Sequence, residues 1–182
     1  WYRYHRLFAD LLQRQLAERG PARIPELHRR ASAWYEAHDL LPQSIDHALA
    51  AGEPERAARL IELVAEPLLV RSEVTALRRW LDALPEAVLD RHPELCAYHA
   101  WLLLLGGKSM RAIEVRIAAA QERAGPTPGR LQTVRALIAL FQGQLEPAAA
   151  LLDDARATLS EDDGFWYGMA RWMWETLHMP GG

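Results

Sequence analysis

Residues 107–109 read Gly-Lys-Ser, the end of the loop with which nucleotide-binding proteins cradle phosphate. That loop needs a glycine five positions before Gly107 and a strand leading into it. Leu102 stands at the first position, and Trp101 to Leu105 has the apolar density of a helix. The triplet therefore reads as a turn, with Ser109 capping the helix that follows. Seven histidines are spread along the chain (His5, His28, His38, His47, His92, His99, His178), and none forms a His-Glu-x-x-His pair or a close His/Cys group. No metal site is expected from that spacing. Glu26 and His28 fall at a helix start and read as surface groups; His5 and His47 read as packing or capping residues. One cysteine, Cys96, excludes an internal disulfide and reads as a small buried hydrophobe. Asp153 and Asp154 are adjacent, so on a helix they point to different faces and make a poor acid–base pair. Glu161, Asp162 and Asp163 suit the first turn of a helix, where carboxylates meet the positive end of the dipole. No nucleophile and base can be assembled from these positions, so no catalytic residue, cofactor site or metal site is expected within the chain.

The aromatic residues are the stronger signal. Phe165, Trp166, Tyr167, Trp172 and Trp174 crowd one short stretch. Trp166 and Trp174 share a helical stripe with Ala170, whereas Trp172 lies well round the helix. Trp166, Trp172 and Trp174 are therefore the candidates for contact with a ligand or partner, with burial on two sides as the alternative. Arg29, Arg30, Arg78 and Arg79 pair on two helices, where surface ion pairs are the default.

The elements that carry these residues are all helical. The chain has 182 residues, is 50% apolar and 25% charged, and has a formal net charge of −3. Ala, Leu, Arg and Glu dominate, which favours helix over strand. Charges of both signs are interspersed, which argues against a nucleic-acid-binding face. The apolar run from Ala100 to Leu105 is too short to cross a bilayer, and a cytoplasmic setting is the default expectation. Trp1 to Tyr4 alternates like the end of a strand or extended arm. Helices are then expected over about 5–19, 25–37, 43–51, 54–66, 74–84, 85–89, 92–106, 109–123, 130–142, 146–159 and 165–177, with Pro67 interrupting or ending the fourth and 125–129 forming a loop.

Three junctions repeat. Gly52, Gly107 and Gly143 are each followed five positions later by an alanine: Ala57, Ala112 and Ala148. The glycine would close one helix through a positive φ, and the small alanine would let the next helix lie close against it. Gly107 to Gly143 is 36 positions, near the 34-residue tetratricopeptide unit. Gly52 to Gly107 is 55, so the repeat is degenerate and an irregular antiparallel bundle stays open as an alternative. The expected fold is all-α, with antiparallel helical hairpins stacked as a right-handed, degenerate tetratricopeptide-like superhelix.

Several segments resemble one family in order. Residues 1–12 (WYRYHRLFADLL) resemble the "RYHxLFxDLL" stretch of MalT-like, LuxR-family, ATP-dependent transcriptional regulators. Leu27 to Tyr35 resembles their "LHRRAxxWY" helix, Ser44 to Ile61 their "AIxHALAAGDxxxAAxLI" hairpin, and Leu77 to Pro85 their "LxxWLxALP" segment. The resemblance is strong over 1–105 and weaker beyond. It implies that 1–40 are the end of a winged-helix part with linker helices, and that 41–182 are a helical repeat region continuing past 182. It implies a nucleotide-binding switch domain upstream, where ATP would bind, and a helix-turn-helix domain downstream. The chain would be a non-catalytic signal-coupling segment. Its partners would be those two domains and an inducer or protein, with homo-oligomerisation on activation and no contact of its own with nucleic acid or membrane. The alternative is a free-standing tetratricopeptide-like scaffold that binds proteins.

Overall fold

The computed structural model describes residues 11–12, 14–16, 18, 20–107, 109–111, 113–115, 117–118 and 129–179. The strand-like arm expected at 1–4, together with His5, Lys108 and Ala112, lies outside them. Every regular element among the described residues is helical, as the composition implies. The chain groups into two compact units, Trp1–Leu60 and Ile61–Gly182.

In the first unit, helical residues between 11 and 18 lead to Gly20 and a 3-10 turn, Pro21–Arg23. Helix α1 (Ile24–Glu36) and helix α2 (Leu41–Ala50) follow, each with proline at its first turn, where the missing N–H costs nothing. The two helices pack on each other, and they meet through serines. Ser32 and Ser44 are fully buried. Ser44 Oγ donates to the Ser32 carbonyl at 2.8 Å, and Arg56 Nε donates to Ser32 Oγ at 3.1 Å. Small side chains permit the close crossing, and these bonds satisfy the hydroxyls it buries. Ile45, Ala48 and Ala57 are also fully buried.

The unit boundary falls within helix α3 (Pro54–Val70). Pro67 does not end this helix, contrary to the sequence expectation; it lies inside it. Pro67 and Leu63, the residue whose carbonyl loses its partner, are both exposed. The face that gives up a hydrogen bond is thus the one open to water.

The second unit continues with α4 (Val74–Ala83), the short α5 (Glu86–Leu89) and α6 (Pro93–Leu105). Helical residues between 110 and 118 follow, then α7 (Gly129–Phe141), α8 (Leu145–Thr158), a 3-10 turn (Glu161–Asp163) and α9 (Gly164–His178). Leu95 to Leu102 of α6 is buried without a break. A helix apolar all round belongs at the centre of a core, and α4 and α7 pack against it. Helix α8 lies between α7 and α9.

Gly129 was expected in a loop and is instead the first, buried residue of α7. A Cβ there would lie 2.5 Å from Thr158 Oγ1 and 2.6 Å from Leu159 Cγ. Close approach to the end of α8, rather than turn geometry, requires glycine here.

The helix junctions share one closure. Gly52, Gly107 and Gly143 have φ of 73°, 69° and 73°. At Gly52 and Gly143 the bonds are those of a Schellman turn: Gly52 N to Leu49 O at 3.0 Å with Glu53 N to Ala48 O at 3.0 Å, and Gly143 N to Leu140 O at 3.0 Å with Gln144 N to Ala139 O at 2.9 Å. Two further junctions do the same without glycine. Asp39 has φ 56° and Ser72 has φ 60°, with Leu40 N to Tyr35 O and Glu73 N to Leu68 O both at 2.9 Å. Five positions after these turns stand Ser44, Ala57, Leu77 and Ala148, all fully buried.

Candidate functional site

In the first unit, α1 and α2 bring two imidazoles face to face. His28 and His47 approach Nδ1 to Nδ1 at 2.7 Å. One ring donates the shared proton and the other accepts it. Tyr35 lies two turns along α1 from His28, and its ring stacks on His47, 9° from parallel with centroids 5.3 Å apart. Leu16, Ile24, Leu27 and Ala31 wall a cleft of about 520 Å³ beside the two histidines. Burial, then the neighbouring His28, pushes the proton affinity of His47 below the ordinary histidine range. The flanks of this seam are polar: Arg29 pairs with Glu26 and Glu53, and Arg56 with Glu36. His28 is therefore not the surface group expected from sequence. Its partner lies 19 positions away, and nothing in local spacing marks such a pairing.

In the second unit one guanidinium gathers side chains from three other elements. Arg130 of α7 donates to Asp163 Oδ1 at 2.9 Å and to the Tyr98 hydroxyl at 2.9 Å. Its Nε lies 3.2 Å from Glu94 Oε2, and its Nη2 lies 3.7 Å from Glu66 Oε2. The Glu94 contact is an ion pair whose geometry is too bent for a hydrogen bond. Burial raises the Glu94 carboxyl above its usual range, against the pull of Arg130. Burial also carries the Tyr98 phenol up to about 12. Burial works against ionised Asp163 too, yet the Ser160 amide and Arg130 hold its carboxyl below the usual range. Glu66 Oε1 accepts the backbone N–H of Phe165 at 3.0 Å and so caps α9 from a distance of 99 residues. The assembly is a clamp.

The three tryptophans singled out from sequence take different surroundings. Trp166 is fully buried, edge-on to Tyr98, Trp101 and Phe165. Trp174 is half-buried; its Nε1 donates to Asp153 Oδ1 at 2.8 Å, Arg156 lies 4.1 Å over its ring, and His178 stacks on it at 4.2 Å. Trp172 is 61% exposed. Only Trp172 thus offers most of its ring to solvent. A second cleft, about 320 Å³, runs between the 110–118 segment and helices α7 and α8, with an apolar floor of Ile117, Ile138 and Leu151 and a rim of Glu114, Arg135 and Gln142.

The remaining sequence candidates are engaged locally. Gly107 is the left-handed residue after a helix rather than after a strand. Cys96 is buried, with its thiol toward the Leu89 carbonyl at 3.7 Å. His38, in the turn after α1, and His178 of α9 bond the carbonyls of Trp34 and Trp174, each four positions back. His92 meets Glu62 at 2.8 Å, and His99 meets Asp82 at 2.9 Å. Arg78 pairs with Asp82, and Arg79 lies over Trp80. Ser160 and Asp163 form a capping box. Among the described residues, no group of three or more His, Cys, Asp or Glu could hold a metal ion, and no helix is long and apolar enough to cross a membrane.

No family model and no solved structure matches the chain. Curated proteins do. The chain is 41% identical over 105 residues to the serine/threonine-protein kinase PknK of Mycobacterium tuberculosis, and equally to that of Mycobacterium bovis. Those residues are 58% of this chain and 10% of the kinase. It is 32% identical over 162 residues to the HTH-type transcriptional regulator MalT of Yersinia enterocolitica, which is 85% of this chain and 18% of the regulator. The chain therefore spans less than a fifth of the length of either relative. It is an all-helical segment similar, over most of its length, to a stretch of a transcriptional regulator.

Proposed function

We propose that this chain is a non-catalytic coupling segment of a MalT-like, LuxR-family regulator. In that reading it links the binding of an inducer or partner to an ATP-dependent switch domain and a DNA-binding domain carried elsewhere in the same protein. The observation that carries the reading is the 32% identity to the regulator along 85% of the chain. A second observation supports the non-catalytic part. Related stretches occur in a protein named as a kinase and in one named as a transcriptional regulator. A segment common to two such different activities is most simply one that performs neither. The helical hairpins would then be a degenerate tetratricopeptide-like superhelix, whose faces transmit contact from one domain to another.

The test is the reading frame that encodes the chain. A phosphate-loop domain upstream and a helix-turn-helix downstream are expected. A frame with neither would overturn the reading in favour of a protein-binding scaffold. The 41% identity to PknK favours one variant, in which the segment relays signals to a kinase domain of the same protein.

A further inference from the structure

We propose that His28 and His47 form a two-histidine chelate for a first-row divalent transition ion, one that fits Ni²⁺ or Cu²⁺ better than Zn²⁺. The two Nδ1 atoms lie 2.7 Å apart, at the short end of the range for hydrogen bonds made by N–H donors. An ion about 2.0–2.1 Å from each nitrogen would subtend roughly 80–85° at that separation. Tetragonal and octahedral ions take neighbouring ligands near 90°, which asks for a small opening of the pair and a turn of the rings, because such an ion sits off the line between the two nitrogens. A tetrahedral ion would need the nitrogens about 3.4 Å apart, a much larger parting of α1 and α2. Imidazole nitrogen also selects these ions over Mg²⁺ and Ca²⁺, which take oxygen ligands.

The seam holds the two rings in place before any ion arrives. Tyr35 stacks on His47. One turn beyond His28, the buried Ser32–Ser44 bonds fix the helix crossing. Both histidines are half-buried on the wall of the cleft formed with Leu16, Ile24, Leu27 and Ala31. Its open side leaves room for water to complete the coordination, since His28 and His47 are the ligands offered there among the described residues. The proton balance is simple. Without metal, one Nδ1–H donates to the other Nδ1. On binding, that proton moves to Nε2 of its own ring, both Nδ1 lone pairs face the ion, and no proton is released at neutral pH.

The experiment titrates the chain with Ni²⁺, Zn²⁺ and Mg²⁺ by calorimetry in a non-coordinating buffer. It compares the unaltered chain with His28→Gln, His47→Gln and, as a control, the exposed His38→Gln. A saturable Ni²⁺ site tighter than that for Zn²⁺ is expected, lost in the first two variants and retained in the third, with no response to Mg²⁺. In the unaltered chain, sub-stoichiometric Cu²⁺ should broaden the Tyr35 ring resonances ahead of those of the other tyrosines. Ni²⁺ binding that survives both His28→Gln and His47→Gln, or that is absent from the unaltered chain, would overturn the site. Should the variants unfold by circular dichroism, unaffected Tyr35 signals in the unaltered chain would overturn it equally. The outcome does not depend on the coupling role proposed above.

Discussion

Two Gly→Ala substitutions, identical as chemistry, should move stability in opposite directions. At Gly129 the added methyl would sit 2.5 Å from Thr158 Oγ1, 2.6 Å from Leu159 Cγ and 3.0 Å from the Ala155 carbonyl. Neither side-chain atom is the far end of a flexible chain, and the carbonyl belongs to α8 itself. Relief therefore requires α7 and α8 to separate. Overpacking of this kind costs about 1–3 kcal/mol, and the better helix propensity of alanine returns at most about 1 kcal/mol. The net loss of roughly 1–2 kcal/mol should lower the unfolding temperature by about 2–8 °C for a chain of this size. At Gly168, in α9, nothing lies within 4 Å of the new Cβ. There alanine restricts only the unfolded chain, and a gain of roughly 0.4–1 kcal/mol is expected. Thermal unfolding of the two variants beside the parent, read by far-ultraviolet circular dichroism, decides the matter. A neutral or stabilising Gly129→Ala would refute the close-approach account of the α7–α8 joint.

The tryptophans of α9 give a second pair: Trp166→Ala should cost about 3–5 kcal/mol as a core deletion, and Trp172→Ala should stay within about 0.5 kcal/mol. Equal losses in denaturant titrations would show that the helix face is misassigned. The histidine seam gives a pH dependence. His47 binds a proton more weakly in the fold than an ordinary histidine, which titrates near 6.5, so the unfolded chain binds more protons below that value. The stability held by neutral His47 is complete above about pH 6.5 and is lost as pH falls through it. Unfolding temperatures measured from about pH 7.5 to 5.5 should fall more for the parent than for His47→Gln, and parallel curves would count against a weakened proton affinity at His47.

What the sequence makes legible follows its physics. Helices are visible because apolar spacing and proline at first turns are local signals, and α1, α2 and α6 all begin that way. The junction motif is visible where glycine marks the left-handed residue. It is hidden at Asp39 and Ser72, which adopt the same conformation without glycine. The 55-residue gap between Gly52 and Gly107 therefore contains a further turn of the same kind at Ser72. Pro67 misleads because proline is a strong helix breaker by rule, and α3 tolerates it on an exposed face. Gly129 misleads because glycine signals both loops and close packing, and only the neighbouring helix shows which applies. The His28–His47 pair and the Arg130 clamp join residues 19 to 36 positions apart, or more through Glu66. No single-sequence period encodes such meetings.

The cap that Glu66 places on α9 has a consequence for how the second unit opens. In a simple array each hairpin touches its neighbours, and the end unit can peel away while the rest stands. Here the carboxylate of α3 holds the first turn of α9 across 99 residues, and closing a loop of that length costs about 4 kcal/mol of chain entropy. Local hairpins such as α7–α8 close short loops at little entropic cost, whereas seating α9 on Glu66 carries that larger closure cost. The grip on α9 thereby reports on the state of α3 at the other end of the same unit.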